Sequence, residues 1–178
     1  MKQNIPPVAR VKHAAHTISL AAAIAALYVL LTFLANAFGL ANGTVQIRFS
    51  EALTVLPALT PAAIPGLFLG CLLSNLLTGC LPWDVLIGSL ATLFGAICTY
   101  LLAKLPHGKW AAALPPILAN TLAIPPVLAF VYHAQGTLPF FFLTVLAGEC
   151  ISCGILGTVL LTALLKIPKL QRILRSIT

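Results

Sequence analysis

Long apolar runs separated by short polar segments occupy most of the chain. Six of these runs have helical length, although the second spans only about 20 Å at the α-helical rise and must tilt or break within a bilayer. The pattern predicts an all-α fold, an integral membrane six-helix bundle forming a single domain over residues 1–178. The expected helices cover residues 14–38, 46–59, 61–78, 84–105, 110–132 and 139–166.

The composition agrees with a membrane protein. Sixty per cent of the residues are hydrophobic and 7% are charged, whereas about a quarter of a soluble domain is charged. The first apolar run, residues 18–38, is longer than the core of about 7–15 residues in a signal peptide, so we expect a retained helix. In a soluble chain, a net charge of +7 would suggest that the protein binds nucleic acid. Here the basic residues instead cluster at helix ends.

These basic clusters predict the membrane orientation. Nine of the ten Lys and Arg residues fall near the N-terminus, in the turn at 104–109 or in the C-terminal tail. All three segments lie on the cytoplasmic side only if the chain crosses six times. We therefore expect a multi-pass protein of a bacterial plasma membrane with both termini cytoplasmic.

A single carboxylate, Glu149, lies near the middle of the last apolar run. A charge at that depth costs about 2.5–3.5 kcal/mol, so it usually faces a partner or a wet cavity. Two interpretations remain open: a hydrogen bond that packs helices, or a ligand contact. Asn120 is expected at the same depth, and a carboxylate with an amide could bind a planar, nitrogen-rich molecule.

The other polar residues concentrate in the half of the bundle expected to face outward. This distribution predicts a pocket open to the outside and closed below rather than a continuous channel. Arg48 and Glu51 are three residues apart and are expected to pair, and Asp84 fits a helix N-cap. The remaining candidates for the pocket are Gln46, Asn75, Trp83, Ser89, Thr92 and Ser152.

Three common catalytic and nucleotide-binding motifs are missing from the sequence. It contains no Walker A, H-E-x-x-H or G-x-S-x-G pattern, and no base–nucleophile pair is visible. Cys150 and Cys153 form a C-x-x-C, a weak metal signal that core packing explains better. We expect no enzyme activity, no cofactor and no metal, and a binding subunit that borrows its energy from a partner.

The first helix carries two overlapping pairs of small residues. Ala21, Ala22, Ala25 and Ala26 would let another helix approach closely. That helix could belong to the same fold or to a partner subunit.

Several segments resemble the QueT family, the S-components (substrate-binding subunits) of energy-coupling factor (ECF) transporters for queuosine precursors. The most specific one runs from Gly43 to Glu51, reading G-T-V-Q-I-R-F-S-E, and the resemblance spans about residues 17–165. Further matches, in the expected order, are Leu69-Gly70-Cys71 with Ser74-Asn75, Asp84-Val85 with Gly88 and Thr92, and Leu146-Ala147-Gly148-Glu149 with Ser152.

The resemblance implies a subunit that binds its substrate from outside and docks, through the alanine pairs, on the transmembrane coupling subunit EcfT with two ATPase subunits. The implied substrate is a 7-deazaguanine with a cyano or aminomethyl group, or queuine or queuosine. In our hypothesis, Glu149 accepts hydrogen bonds from the N–H groups of the guanine-like edge, and Asn120 contacts the carbonyl of the ligand. Glu51 or Asp84 would contact a cationic aminomethyl group. The loop after the first helix would form a lid. The alternatives are an S-component for another vitamin, a stand-alone secondary transporter of a small heterocycle, or a membrane enzyme.

Overall fold

The computed structural model describes residues 7–40 and 46–167, with side chains from residue 14 onward. Within these ranges the chain is helical apart from its connections, which confirms the all-α class. The elements, in order, are α1 (Pro7–Ala37), a 3₁₀ helix (Phe49–Ala58), α2 (Ala63–Leu77), α3 (Pro82–Leu102), a short 3₁₀ turn (Gly108–Ala111), α4 (Leu114–Phe130), α5 (Leu138–Glu149), a π-helical segment (Cys150–Gly157) and α6 (Thr158–Leu165). The last three form one continuous rod.

Among the described residues, four helical stretches are long and apolar enough to cross a membrane, as expected for a multi-pass membrane protein. They are Ala14–Ala37, Pro82–Leu102, Gly108–Phe130 and Leu138–Leu165. The apolar helix α2 is shorter, and the element after α1 is shorter still. The expectation of six spanning helices is therefore met only in part.

The second expected helix is the 3₁₀ helix, and it lies inside the bundle. Pro57 lacks a backbone donor, and the Thr54 hydroxyl donates to the Glu51 carbonyl; both weaken an α-helical hydrogen-bond ladder. Its packing partners are α1, α3 and the π-helical segment. Because it is surrounded by protein, it need not match the bilayer thickness. Its buried residues are Ser50, Glu51, Leu53, Thr54, Val55, Pro57 and Ala58.

Two glycines on α2 let it pack closely against α1. An added Cβ at Gly66 would lie 2.7 Å from the Ala21 carbonyl oxygen, and one at Gly70 would lie 2.7 Å from the Tyr28 Cβ. Ala21 and Ala25 are therefore buried within this fold. Of the four alanines expected to dock a partner, only Ala22 and Ala26 are exposed.

The rod formed by α5, the π-helical segment and α6 passes closely along the 3₁₀ helix. A Cβ at Gly148 would lie 2.1 Å from the Gln46 carbonyl oxygen, and one at Gly157 would lie 2.9 Å from Val55 Cγ1. Arg48, the residue before the 3₁₀ helix, donates its backbone N–H to Ser152 Oγ at 3.2 Å. These contacts fix the start of the 3₁₀ helix against the π-helical segment.

The N-cap predicted at Asp84 is wrong. Helix α3 begins two residues earlier, at Pro82, and its N-cap is Leu81 without a side-chain hydrogen bond. Proline is favoured in the first helical turn because its missing N–H would have no partner there. Asp84 therefore lies inside the first turn, where it is buried and free to face another element.

Candidate functional site

Two carboxylates from distant parts of the chain converge on one amide. Asn120 Nδ2 lies 3.0 Å from Glu149 Oε1 and 3.4 Å from Glu51 Oε2. Asn120 belongs to α4, Glu149 ends α5, and Glu51 lies in the 3₁₀ helix. We call these three residues the inner cluster.

Each carboxylate of the inner cluster has a second donor. The Tyr28 hydroxyl donates to Glu51 Oε1, and the Cys153 thiol lies 3.1 Å from Glu149 Oε2. A carboxylate oxygen has two acceptor positions, so these four oxygens keep capacity for further donors. Glu149 thus has the helix-packing hydrogen bond that the sequence suggested, and it also lines a cavity.

The inner cluster forms one wall of a small cavity between α2, α3, α4 and α5. Its volume is about 20 Å³, enough for roughly one water molecule. The cavity therefore combines several hydrogen-bonding groups with very little free space. It is lined by Gln46, Arg48, Glu51, Cys71, Gly88, Thr92, Asn120, Ile124, Val145 and Glu149.

Two larger cavities adjoin it on the side of the α2–α3 and α4–α5 connections. We call them the loop-side cavities; their volumes are about 330 Å³ and about 260 Å³. Arg48 lines all three cavities. The larger one is also lined by Thr32, Phe33, Asn36, Asn75, Thr78 and Cys80, and the smaller one by Gln46, Cys80, Asp84, Ile124, Leu128, Tyr132 and Ala134.

The ion pair predicted between Arg48 and Glu51 is not formed. Arg48 Nη2 instead lies 3.4 Å from Gln46 Oε1, whereas the Glu51 carboxylate accepts hydrogen bonds from Tyr28 and Asn120. The prediction assumed one helix from residue 46, but Arg48 precedes the 3₁₀ helix in extended backbone, with φ −112° and ψ 111°. The two side chains therefore do not share a helical face.

Asp84 belongs to a second polar group, beside the smaller loop-side cavity. Its Oδ2 accepts a hydrogen bond from the Tyr132 hydroxyl at 2.8 Å, and the same hydroxyl oxygen accepts the Leu81 N–H at 3.1 Å. Burial raises the pKa of Tyr132, so its hydroxyl stays protonated at neutral pH. This network joins the start of α3 to the connection after α4.

Most, but not all, of the expected site residues line these cavities. Ser89 donates to the Val85 carbonyl of its own helix at 2.6 Å, and Trp83 is 62% exposed. Ser152 accepts the Arg48 N–H. None of these three lines the cavities described. The residues that do are Gln46, Arg48, Glu51, Asn75, Asp84, Thr92, Asn120 and Glu149.

Several lining or supporting residues were not predicted from the sequence. Tyr28 could have been found, because it is a polar group within the alanine-rich apolar run of α1. Cys71 and Gly88 carry no polar signal of their own. Tyr132 lies beyond the end of α4, where tyrosine is common at a membrane interface and does not indicate a contact with Asp84.

The inner cluster also has atoms that could ligate a cation. Atoms of Glu51, Glu149 and Cys153 lie within 4.8 Å of one another. Carboxylate and thiolate suit a divalent transition metal, but here the same atoms bond to Asn120, Tyr28 and one another. Cys150, the other half of the C-x-x-C, is exposed, so the two cysteines do not form one site.

Together, the long apolar helices and the polar side chains that line interior cavities define a multi-pass membrane protein. The sequence profile of a family described as "QueT transporter" matches residues 18–166. The chain belongs to the QueT transporter family, and its role is that of a membrane transporter protein for a small molecule. No curated protein matches it significantly, and no solved structure does.

Proposed function

We propose that this chain is the S-component of an ECF transporter and that it binds a queuosine precursor from the outer side of the membrane. The observation that carries the proposal is the inner cluster, in which Glu51, Asn120 and Glu149 line a small interior cavity of a QueT-family protein. Buried carboxylates inside a membrane bundle are costly and mark functional sites.

Recognition of a 7-deazaguanine follows from the acceptors of this cavity. Its guanine-like edge presents adjacent N–H donors, which a carboxylate can accept as a bidentate pair. Glu149, which is half-buried and lines the cavity, is our choice for this role. Because Asn120 Nδ2 already donates to both carboxylates, we assign Asn120 to holding them in place. Arg48 then becomes the donor for the ligand carbonyl.

Ligand entry requires Arg48 to move. A cavity of about 20 Å³ holds one water and cannot hold a fused two-ring heterocycle. Arg48 and Gln46 line both this cavity and the smaller loop-side cavity, so displacing them joins the two spaces. Residues 41–45, where we expected a lid, lie outside the described residues.

The energy for transport comes, in this proposal, from partners. The sequence has no phosphate-binding loop of the usual kind, so ATP hydrolysis is assigned to two ATPase subunits acting through EcfT. Exposed Ala22 and Ala26 on α1 offer a surface where a partner helix can approach closely. In this proposal both termini face the cytoplasm. Most of the basic residues that predict this orientation lie outside the residues whose side chains the structure describes.

The test is binding by the purified protein. Calorimetry should show tight binding of a 7-deazaguanine and none of thiamin, riboflavin, biotin or folate, and mass spectrometry should identify a deazaguanine carried through purification. We expect Glu149→Gln to weaken binding about 100-fold, since two charge-assisted hydrogen bonds are lost. Cys150→Ala, at the exposed neighbouring position, is the matched control.

Each part of the proposal has a result that would overturn it. Tight binding of one of the other vitamins would keep an S-component but change its substrate. Uptake by the chain alone in proteoliposomes, without ATPase subunits, would indicate a secondary transporter. Wild-type affinity in Glu149→Gln would remove Glu149 from the site.

A further inference from the structure

The three acidic residues of this basic protein all line its interior cavities. They are Glu51 and Glu149 at the inner cavity and Asp84 at the smaller loop-side cavity, whereas the chain has ten Lys and Arg residues. Arg48 is the one basic residue that lines the three cavities described. Outside these cavities, the chain therefore carries basic side chains without any acidic side chain to balance them.

The connection between α3 and α4 brings two of these basic side chains together. We call this connection, residues 104–110, the basic turn; it lies at the far end of α3 from the loop-side cavities. A Cβ on Gly108 would lie 1.8 Å from the Leu102 carbonyl oxygen, so the turn packs its backbone directly against the end of α3. Lys109, the next residue, therefore lies beside that helix end. Lys104 is exposed and Lys109 is half-buried.

The basic turn continues the lipid-facing side of α3. Lys104 follows Leu101 by three residues and donates its backbone N–H to the Leu101 carbonyl at 3.2 Å, which keeps both residues on one side of the helix. The Lys104 Nζ lies 4.1 Å from the centre of the Tyr100 ring, a cation–π contact that holds the ammonium group back along the helix. The exposed apolar row on this side of α3 is Leu86, Leu90, Phe94, Ile97 and Leu101.

Two aromatic rings set the depth of the basic turn in the membrane. Trp110 is 65% exposed, and Tyr100 lies under Lys104. Tryptophan and tyrosine rings favour the headgroup level of a bilayer, with the apolar ring toward the acyl chains and the polar N–H or O–H group toward water. The turn is therefore placed at the level where lipid phosphates lie.

We propose that the basic turn binds the headgroup phosphate of an anionic phospholipid. The ammonium groups of Lys104 and Lys109 and the indole N–H of Trp110 donate to the phosphate oxygens, and the acyl chains lie along the apolar row of α3. Charge complementarity favours this occupant, because each basic residue at a membrane surface strengthens the attraction of anionic lipid about fivefold. The cation–π contact with Tyr100 directs the site toward lipid rather than toward an acidic partner protein. This inference is independent of the proposed function.

Tryptophan fluorescence tests the site, because the chain has two tryptophans and they lie at opposite ends of α3. Trp83→Phe leaves Trp110 as the only reporter, and Trp110→Phe leaves Trp83. Each variant is reconstituted into vesicles in which either phosphatidylglycerol or phosphatidylcholine carries bromine on its acyl chains, which quenches a tryptophan in contact with that lipid. At Trp110 the association constant should be about fivefold or more higher for phosphatidylglycerol than for phosphatidylcholine. At Trp83 the two lipids should quench equally.

The lysines are tested in the Trp83→Phe background. Lys104→Gln combined with Lys109→Gln should bring the two association constants at Trp110 within about twofold of each other. Lys166→Gln is the matched control, because it removes the same charge from an exposed lysine at the same end of the bundle, and it should leave the preference unchanged. High salt should lower the preference without any change to the turn, which keeps the test valid should the double variant fail to fold.

Equal quenching of Trp110 by the two lipids would overturn the proposal. An equal preference at Trp83 would also overturn it, because the attraction would then be general and not a property of the basic turn. A preference that survives high salt or the double lysine variant would have the same consequence. Equal quenching together with loss of co-purifying partner subunits in the double variant would assign the turn to an acidic protein surface instead. Ligand affinity measured on the same samples tests the proposed function separately.

Discussion

The inner cluster and the loop-side cavities lie side by side but are built in opposite ways. At the inner cluster, groups from α1, α4, the 3₁₀ helix and the α5 rod bond to one another around about 20 Å³. Beside it, Asp84 has one tyrosine as donor, and the cavities measure about 260 and 330 Å³. For the proposed function, the inner cluster would be a pre-organised wall that orients a ligand, and the loop-side cavities would be the space that adapts to it.

The largest effect is expected at the boundary between these regions, at Gly148. A Cβ there would lie 2.1 Å from the Gln46 backbone oxygen, so the chain leading to Arg48 must shift. We expect Gly148→Ala to destabilise the protein by about 3 kcal/mol, at the upper end of the cost of overpacking. Thermal unfolding in detergent measures the effect.

Gly154→Ala is the matched control on the same rod. The nearest atom to its Cβ would be Ile117 Cδ1, at 3.8 Å. There the substitution should be neutral or raise the melting temperature, since alanine in a helix is favoured over glycine by up to about 1 kcal/mol. Equal destabilisation by both substitutions would show that the contact with Gln46 is not the cause.

A smaller effect is expected from loosening the inner wall. Tyr28→Phe removes one hydrogen bond from Glu51 and leaves the carboxylate with Asn120. Ligand affinity should fall about tenfold, because a hydrogen bond to a charged group is worth about 1.5–3 kcal/mol. Calorimetry with the 7-deazaguanine that carries an aminomethyl group measures this, and Tyr100→Phe, whose ring lies under Lys104, is the control. Unchanged affinity in Tyr28→Phe would mean that the inner wall is not pre-organised by this bond.

The smallest expected effect on ligand binding comes from a comparison of the Thr92 and Ser89 hydroxyls, both on α3. The Thr92 hydroxyl lines the inner cavity and lies 3.4 Å from Cys71 Sγ, whereas the Ser89 hydroxyl donates to the Val85 carbonyl of its own helix. Thr92→Val should weaken ligand binding about threefold, and Ser89→Ala should leave it within about twofold, in line with neutral hydrogen bonds of about 0.5–1.5 kcal/mol. The reverse order would place Ser89 in the binding region after all.

The sequence predicted the inner cluster better than the region beside it. Glu149 and Asn120 stand out because polar groups are rare in apolar helices, and such groups seek one another or a cavity. The errors arose where the local backbone geometry determines which side chains can contact each other. Arg48 and Glu51 were paired on an α-helix that does not include Arg48, and Asp84 was assigned to a cap because Pro82 had not been recognised as the helix start.

The positions that depend on tertiary packing gave no local signal. Gly88 is close to Asn75 Nδ2 of α2, and the placement of α2 against α3 is not encoded locally in the sequence. The contact between Tyr132 and Asp84 joins residues 48 positions apart. The helical class could be predicted, whereas the number of spanning helices could not, because an interior 3₁₀ helix has the same apolar composition as a short span.

The interior position of the 3₁₀ helix has a consequence for biogenesis. A ten-residue segment with a carboxylate is too short and too polar to partition into lipid by itself. We therefore expect the translocon to insert the four long helices first and the 3₁₀ helix to pack between them afterwards. We expect the final maturation of the newly made protein to be the arrival of Glu51 among its neighbours, so that trapped assembly intermediates would already be membrane-integrated and still unable to hold a solute.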